Sequence, residues 1–145
     1  MNLKEIPIKL LLVEDNPDDV VLIKFAFNEQ KVNCDIFWTK DGVEAENFLK
    51  KLDKYVDVPT PDIVILDLNL PKKNGFSVLK FIKSSPVLKE LPVIVLTTST
   101  NPDDIRKCYA GHANCYIKKP SDLQGFLEII GNVKTYWLDT VILPS

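Results

Sequence analysis

Residues 61–75 read PDIVILDLNLPKKNG. Ile63, Val64, Ile65 and Leu66 form an unbroken apolar, mostly β-branched run, and Asp67 follows it with Leu68 beyond. Such a run predicts a strand buried on both faces. A carboxylate inside it would be costly to bury. At the strand's carboxyl end the cost is small, because Pro71 and Gly75 turn the chain there. In parallel α/β sheets that edge is where ligands bind. Taken alone, Asp67 suits a turn-capping role equally well. The flanking chain has to decide.

Upstream, Ile8–Val13 (IKLLLV) predicts a first buried strand after a lead-in over residues 1–7. It ends at Glu14-Asp15. Asn16-Pro17-Asp18-Asp19 then supplies a helix cap, a proline for the first helical position and two acids in the first turn. That helix runs to about Asn28. Val32–Trp38 alternates as a second strand. Asp41 and Glu44 form a capping box for a second helix. Residues 53–61 make a polar loop, longer than the usual connection of about 2–6 residues.

Downstream, a third helix is expected from Gly75 to Ser84 and a fourth strand from Leu91 to Leu96. Asn101-Pro102-Asp103-Asp104 opens a fourth helix, running to about Gly111. Asn114–Ile117 is a short fifth strand ending at Lys118-Lys119-Pro120. Ser121 and Gln124 form a capping box for the last helix. Its apolar positions are Leu123, Phe126, Leu127, Ile130, Val133 and Trp137, and Gly125 and Gly131 weaken it by about 1 kcal/mol each relative to alanine.

Five strands alternating with five helices imply an α/β fold with a parallel sheet and helices on both faces. The common five-stranded solution is the flavodoxin-like, doubly wound order 2-1-3-4-5, with its switch point between the first and third strands.

Composition fits one domain over residues 1–145: 46% of residues are apolar, 26% are charged, and the net charge is -2. That balance offers no electrostatic case for nucleic acid. The doublets Lys50-Lys51, Lys72-Lys73 and Lys118-Lys119 are scattered and suit a solvated surface. No signal peptide or membrane span is expected. Cys34, Cys108 and Cys115 are an odd number without metal-type spacing, which points to small buried hydrophobes in a reduced cytoplasm.

The predicted topology sets the ends of strands one and three side by side, delivering Glu14, Asp15 and Asp67 to one crevice. Three carboxylates there repel one another unless a divalent cation sits among them. Oxygen-only ligands favour Mg²⁺. Strand four ends in a hydroxyl, Thr97, and strand five in an ammonium, Lys119. Acids with a metal, a hydroxyl donor and a lysine suit the handling of a phosphoryl group, with Asp67 as a possible nucleophile.

The segments LLVEDNPDD, ILDLNLPKKNG, PVIVLTTS and CYIKKP resemble the receiver domain of bacterial two-component response regulators, over nearly the whole chain. By that resemblance Asp67 is the phosphoacceptor for a sensor histidine kinase. Glu14, Asp15, Asp67 and the backbone carbonyl of Asn69 would hold Mg²⁺. Thr97 and Lys119 would contact the phosphoryl group, and Lys119–Pro120 would be cis. Tyr116 matches the family's aromatic switch position, turning inward as Thr97 moves toward the phosphate.

Two departures stand out. Gly111-His112-Ala113-Asn114-Cys115-Tyr116 replaces the family's usual small-residue approach to strand five, with His112 suited to a helix end or surface. The loop 53–61 and the C-terminal extension from about residue 135 are longer than in minimal receivers. The longer form is similar to stand-alone regulators that partner phytochrome-type histidine kinases. The expected output is therefore by protein contact, with no nucleic acid or membrane partner. Trp137, Leu138, Val141, Ile142 and Leu143 would form an exposed patch. Together with the fourth and fifth strand-helix region it would build a homodimer, unless the tail folds back on its own core.

Two other functions remain open at this stage. A docking module without phosphorylation would not require the five site residues. A phosphatase of the haloacid-dehalogenase type needs a second acid where Asn69 stands, so the chain is expected not to be an enzyme.

Overall fold

The computed structural model describes residues 6–144. The rest of the lead-in, residues 1–5, and Ser145 lie outside the described residues. Five strands and five helices alternate: β1 Ile8–Val13, α1 Pro17–Glu29, β2 Cys34–Thr39, α2 Gly42–Lys50, β3 Ile63–Leu66, α3 Gly75–Ser84, β4 Val93–Thr97, α4 Pro102–Ala110, β5 Cys115–Lys118 and α5 Leu123–Val133. All four strand pairings are parallel, in the order β2-β1-β3-β4-β5.

The sheet is buried on both faces because its central strands are continuously apolar. In β1, Leu11 and Val13 face a core shared with α2, α3 and α4, while Leu10 and Leu12 face one shared with α1 and α5. In β3, Val64 and Leu66 join the first core, and Ile63 and Ile65 the second. The alternation of side chains along a strand thus fills two layers from one apolar run.

Asn16, Asp41 and Asn101 cap their helices as expected, accepting from Asp18 and Asp19 N–H, Glu44 N–H and Asp103 N–H respectively. Two caps differ in detail. Glu44 reaches back to the N–H of Lys40 at 3.3 Å instead of that of Asp41. Asp122, not Ser121, caps α5, accepting from Gly125 N–H at 2.8 Å. Gly125 has a positive role as well: a Cβ there would stand 2.5 Å from the Pro120 ring, so the glycine lets α5 start against Pro120.

The strand boundaries shift by one or two residues. Val32 precedes β2, and β5 runs through Lys118. The loop after α2 holds a short 3₁₀ turn, Asp53–Tyr55. Its Tyr55 ring packs against Phe48 at 5.3 Å between centroids, which anchors the long connection to the core. His112 closes α4 in the left-handed region, at φ 70°, with its N–H on the Tyr109 carbonyl.

After α5 the chain continues as a π-helical segment, Lys134–Thr140. Trp137 and Leu138 pack against the α1–α5 core, and Val141 and Leu143 are half-buried, so the expected exposed apolar patch is reduced to Ile142. Among the described residues no helix is long and apolar enough to cross a membrane. The cysteines are free thiols, with Cys108 buried and the other two half-buried.

Candidate functional site

The carboxyl edge of the sheet gathers the expected groups. Glu14 directly follows β1, Asp67 follows β3, Thr97 ends β4 and Lys119 follows β5. Glu14, Asp67, Thr97 and Lys119 are all buried, whereas Asp15 is exposed. One carboxylate oxygen from each of Glu14, Asp15 and Asp67 lies within 4.8 Å of the others. Those oxygens come from three hard ligands on two neighbouring strands, and the set fits a divalent cation that keeps part of its water shell.

Lys119 crosses the pocket. Its Nζ lies 2.6 Å from Glu14 Oε1, 2.9 Å from Asp19 Oδ2 and 3.0 Å from Asp67 Oδ2. The three N–H bonds of an ammonium match three acceptors. Burial works to lower the Lys119 pKa, but the bonds to Glu14 and Asp19 and the charge of Asp67 outweigh it and hold the ammonium protonated. Burial pushes the Glu14 carboxyl up to about 7, against the pull of Lys119 and with the charge of Asp67 adding to the rise.

The other oxygens are also placed. Glu14 Oε2 accepts from Asn16 N–H at 3.1 Å, and Asp67 Oδ1 from Asn69 N–H at 3.2 Å. The Glu14 carbonyl accepts from the Trp38 indole N–H at 2.7 Å. Thr97 Oγ1 is fully buried and has no hydrogen-bond partner among the described residues. An orphaned buried hydroxyl is costly and calls for an explanation. The Tyr116 hydroxyl donates to the Ser99 carbonyl at 2.9 Å, and Ser99 Oγ donates to Asp104 at 2.6 Å, which ties β5 to the β4–α4 loop. The Lys119–Pro120 peptide is trans, against the expectation, as are all peptide bonds among the described residues. Trans is the favoured isomer before proline by about 0.5–1 kcal/mol.

Two features escaped the sequence reading. Asp19 appeared only as an acid suited to the helix dipole, yet it is a direct partner of Lys119. The Lys72-Lys73 doublet is also more than solvated surface. Lys72 Nζ lies 3.5 Å from buried Asp41, and Lys73 Nζ lies 2.6 Å from buried Glu46. A Cβ on Gly42 would stand 1.8 Å from the Lys73 carbonyl oxygen, so α2 and the loop after β3 touch backbone to backbone. This clasp ties the loop after β3 to α2. Surface grooves of about 450 Å³ between α2 and α3 and about 460 Å³ between α3 and α4 are lined by none of Glu14, Asp15, Asp19 and Asp67.

Comparison with known proteins agrees with this geometry. The sequence pattern described as "Response regulator receiver domain" matches residues 10–131. Response regulator Rcp1 of Synechocystis is 40% identical over 139 residues, which is 96% of this chain and 95% of Rcp1. A probable methanogenesis regulatory protein, FilR2, of Methanothrix harundinacea is 41% identical, with 92% of this chain and 86% of FilR2 covered. The structure of the phosphorylated cyanobacterial phytochrome response regulator RcpA superposes with a TM-score of 0.92 at 44% identity, covering 97% of this chain and all of that one. The Mn²⁺-bound form of Rcp1 superposes with a TM-score of 0.90 at 40% identity, covering 96% of this chain and all of that one.

Proposed function

We propose, since the chain belongs to the response regulator receiver family, that Asp67 accepts a phosphoryl group from a sensor histidine kinase. Receiver domains are signalling domains that bind Mg²⁺ or Mn²⁺ in an acidic pocket, and Glu14, Asp15 and Asp67 form such a pocket here. The observation that carries the reading is the meeting of Asp67, the Lys119 ammonium and the partnerless Thr97 hydroxyl at one sheet edge.

An Asp67 carboxylate oxygen attacks phosphorus. The bond from phosphorus to the donor's imidazole nitrogen breaks, and that nitrogen keeps the electron pair. Glu14, Asp15, Asp67 and the backbone carbonyl of Asn69 would hold a divalent cation, which would supply neutralising charge. Lys119 meets a phosphoryl oxygen, and so does Thr97, whose hydroxyl gains the partner it lacks at rest. As Thr97 moves, Tyr116 gives up its bond to the Ser99 carbonyl and turns inward. The change is a shift between two packings, biased by contacts that only the phosphorylated state offers.

We read the whole chain as one receiver domain with an extension from about residue 135. It acts as a stand-alone cytoplasmic regulator that signals through protein contacts, including a homodimer built from the β4–α4–β5–α5 region and the extension. The likeness to Rcp1 and RcpA supports a phytochrome-type kinase as the input. Incubation with Mg²⁺ and a small acyl phosphate tests the core of the reading. The expected product is a labelled protein sensitive to hydroxylamine and absent from Asp67→Asn; hydroxylamine-resistant label, or label retained in the variant, contradicts it.

A further inference from the structure

The geometry points to Asp19 as the residue that positions Lys119 when a cation occupies the acidic pocket, an inference that rests on the reading of Asp67 as a phosphoacceptor beside a bound divalent ion. At rest Lys119 is shared by Glu14, Asp19 and Asp67. Two of these three, Glu14 and Asp67, belong with Asp15 to the set whose oxygens converge within 4.8 Å; Asp19 does not. A cation and Lys119 therefore compete for Glu14 and Asp67, and like charges separate. The one carboxylate left wholly to the ammonium is Asp19.

That partner is needed because the Lys119 side chain is only 6% exposed. A buried cation without a counter-ion is strongly disfavoured. Asp19 is suited to the task by its place in the first turn of α1. The Asn16 side chain accepts from its backbone N–H at 3.4 Å, and the helix N-terminus favours its charge. With one N–H on Asp19, the ammonium has two others to offer to phosphoryl oxygens. Asp19 thus lets Lys119 release Asp67 without leaving the pocket. It touches neither cation nor phosphoryl group and acts only through Lys119.

Asp18 provides an internal control. It precedes Asp19, carries the same charge, is exposed and makes no ion pair with Lys119. The experiment compares Asp19→Asn, Asp18→Asn and Asp19→Glu, each with Lys119 intact and with Lys119→Met. Mg²⁺ affinity is measured by calorimetry on the unphosphorylated protein, and Asp67 labelling by acyl phosphate at saturating Mg²⁺. With Lys119 present, Asp19→Asn is expected to weaken Mg²⁺ about tenfold more than Asp18→Asn does, because Lys119 then clings to the shared acids. Asp19→Glu should recover most of the loss, and the difference should vanish with Lys119→Met. Equal effects of the two asparagine variants, or an Asp19 effect that persists without Lys119, overturn the proposal. Labelling separates it from its premise. A wild type that is labelled while Asp19→Asn matches Asp18→Asn refutes Asp19 alone. An unlabelled wild type with the expected Mg²⁺ pattern refutes the phosphoacceptor reading and leaves the role of Asp19 standing.

Discussion

Lys119 Nζ lies 3.0 Å from Asp67 Oδ2, so the proposed phosphoacceptor is neutralised at rest by the same ammonium that would later meet its phosphoryl oxygens. Substituting Lys119→Met removes the positive charge from among three carboxylates. Without divalent ions the variant should unfold at lower urea, losing about 3 kcal/mol, the scale for breaking a buried ion pair. Its Mg²⁺ affinity should rise, because the competing cation is gone. Calorimetry and urea titration with and without Mg²⁺ check both signs.

Glu14 gives a pH prediction. Its carboxyl is raised from 4.5 to about 7 in the folded chain. Between those values the folded state holds a proton that the unfolded state has lost. Its contribution to stability is therefore full below about 4.5 and declines as pH rises through about 7, by up to about 3 kcal/mol. Glu14→Gln should flatten this part of the urea-midpoint profile of the metal-free protein. Mg²⁺ should run the other way, binding more tightly as pH rises through the same window and releasing close to one proton.

Thr97→Val separates rest from signalling. The hydroxyl is buried and has no hydrogen-bond partner among the described residues, so replacing it with a methyl should leave the melting temperature unchanged or raise it, by up to about 1 kcal/mol of stability. Phosphorylation, or a phosphoryl mimic such as beryllofluoride, should still bind. The NMR shifts of Tyr116 and Ser99 should then move much less than in the wild type.

The clasp between α2 and the loop after β3 predicts a steric effect. Gly42→Ala drives a methyl into the Lys73 carbonyl and should cost about 3 kcal/mol in denaturant titrations, at the upper end for overpacking. Ser77→Ala, which shortens an exposed side chain on the same side of the sheet, should cost far less.

For the homodimer, sedimentation of the full chain and of a chain ending at Thr135 is expected to show a dimer that the truncation weakens. Monomer mass for both sinks it. Because Trp137 and Leu138 pack on the α1–α5 core, truncation should also lower the melting temperature.

Much of this was legible in the sequence. Alternating apolar runs and helix caps announced the topology, and strand-end chemistry announced Glu14, Asp67, Thr97 and Lys119. These signals are local and repeat with the period of their element. Asp19 was not legible, because its role depends on Lys119 arriving from a strand end a hundred residues later. The fold-back of Trp137 and Leu138 stood in the sequence only as the alternative to an exposed patch, and the packing of the segment after α5 on the α1–α5 core decides between the two. The trans Lys119–Pro120 bond differs from what the family likeness implied.

Trp38 is one of two tryptophans, and its indole N–H holds the carbonyl of Glu14 at 2.7 Å while the ring stays partly exposed. The other, Trp137, sits on the α1–α5 core. The molecule thus carries its own fluorescent reporter one hydrogen bond from the acidic pocket. Occupancy of the pocket can be followed optically, in real time, without attaching a dye.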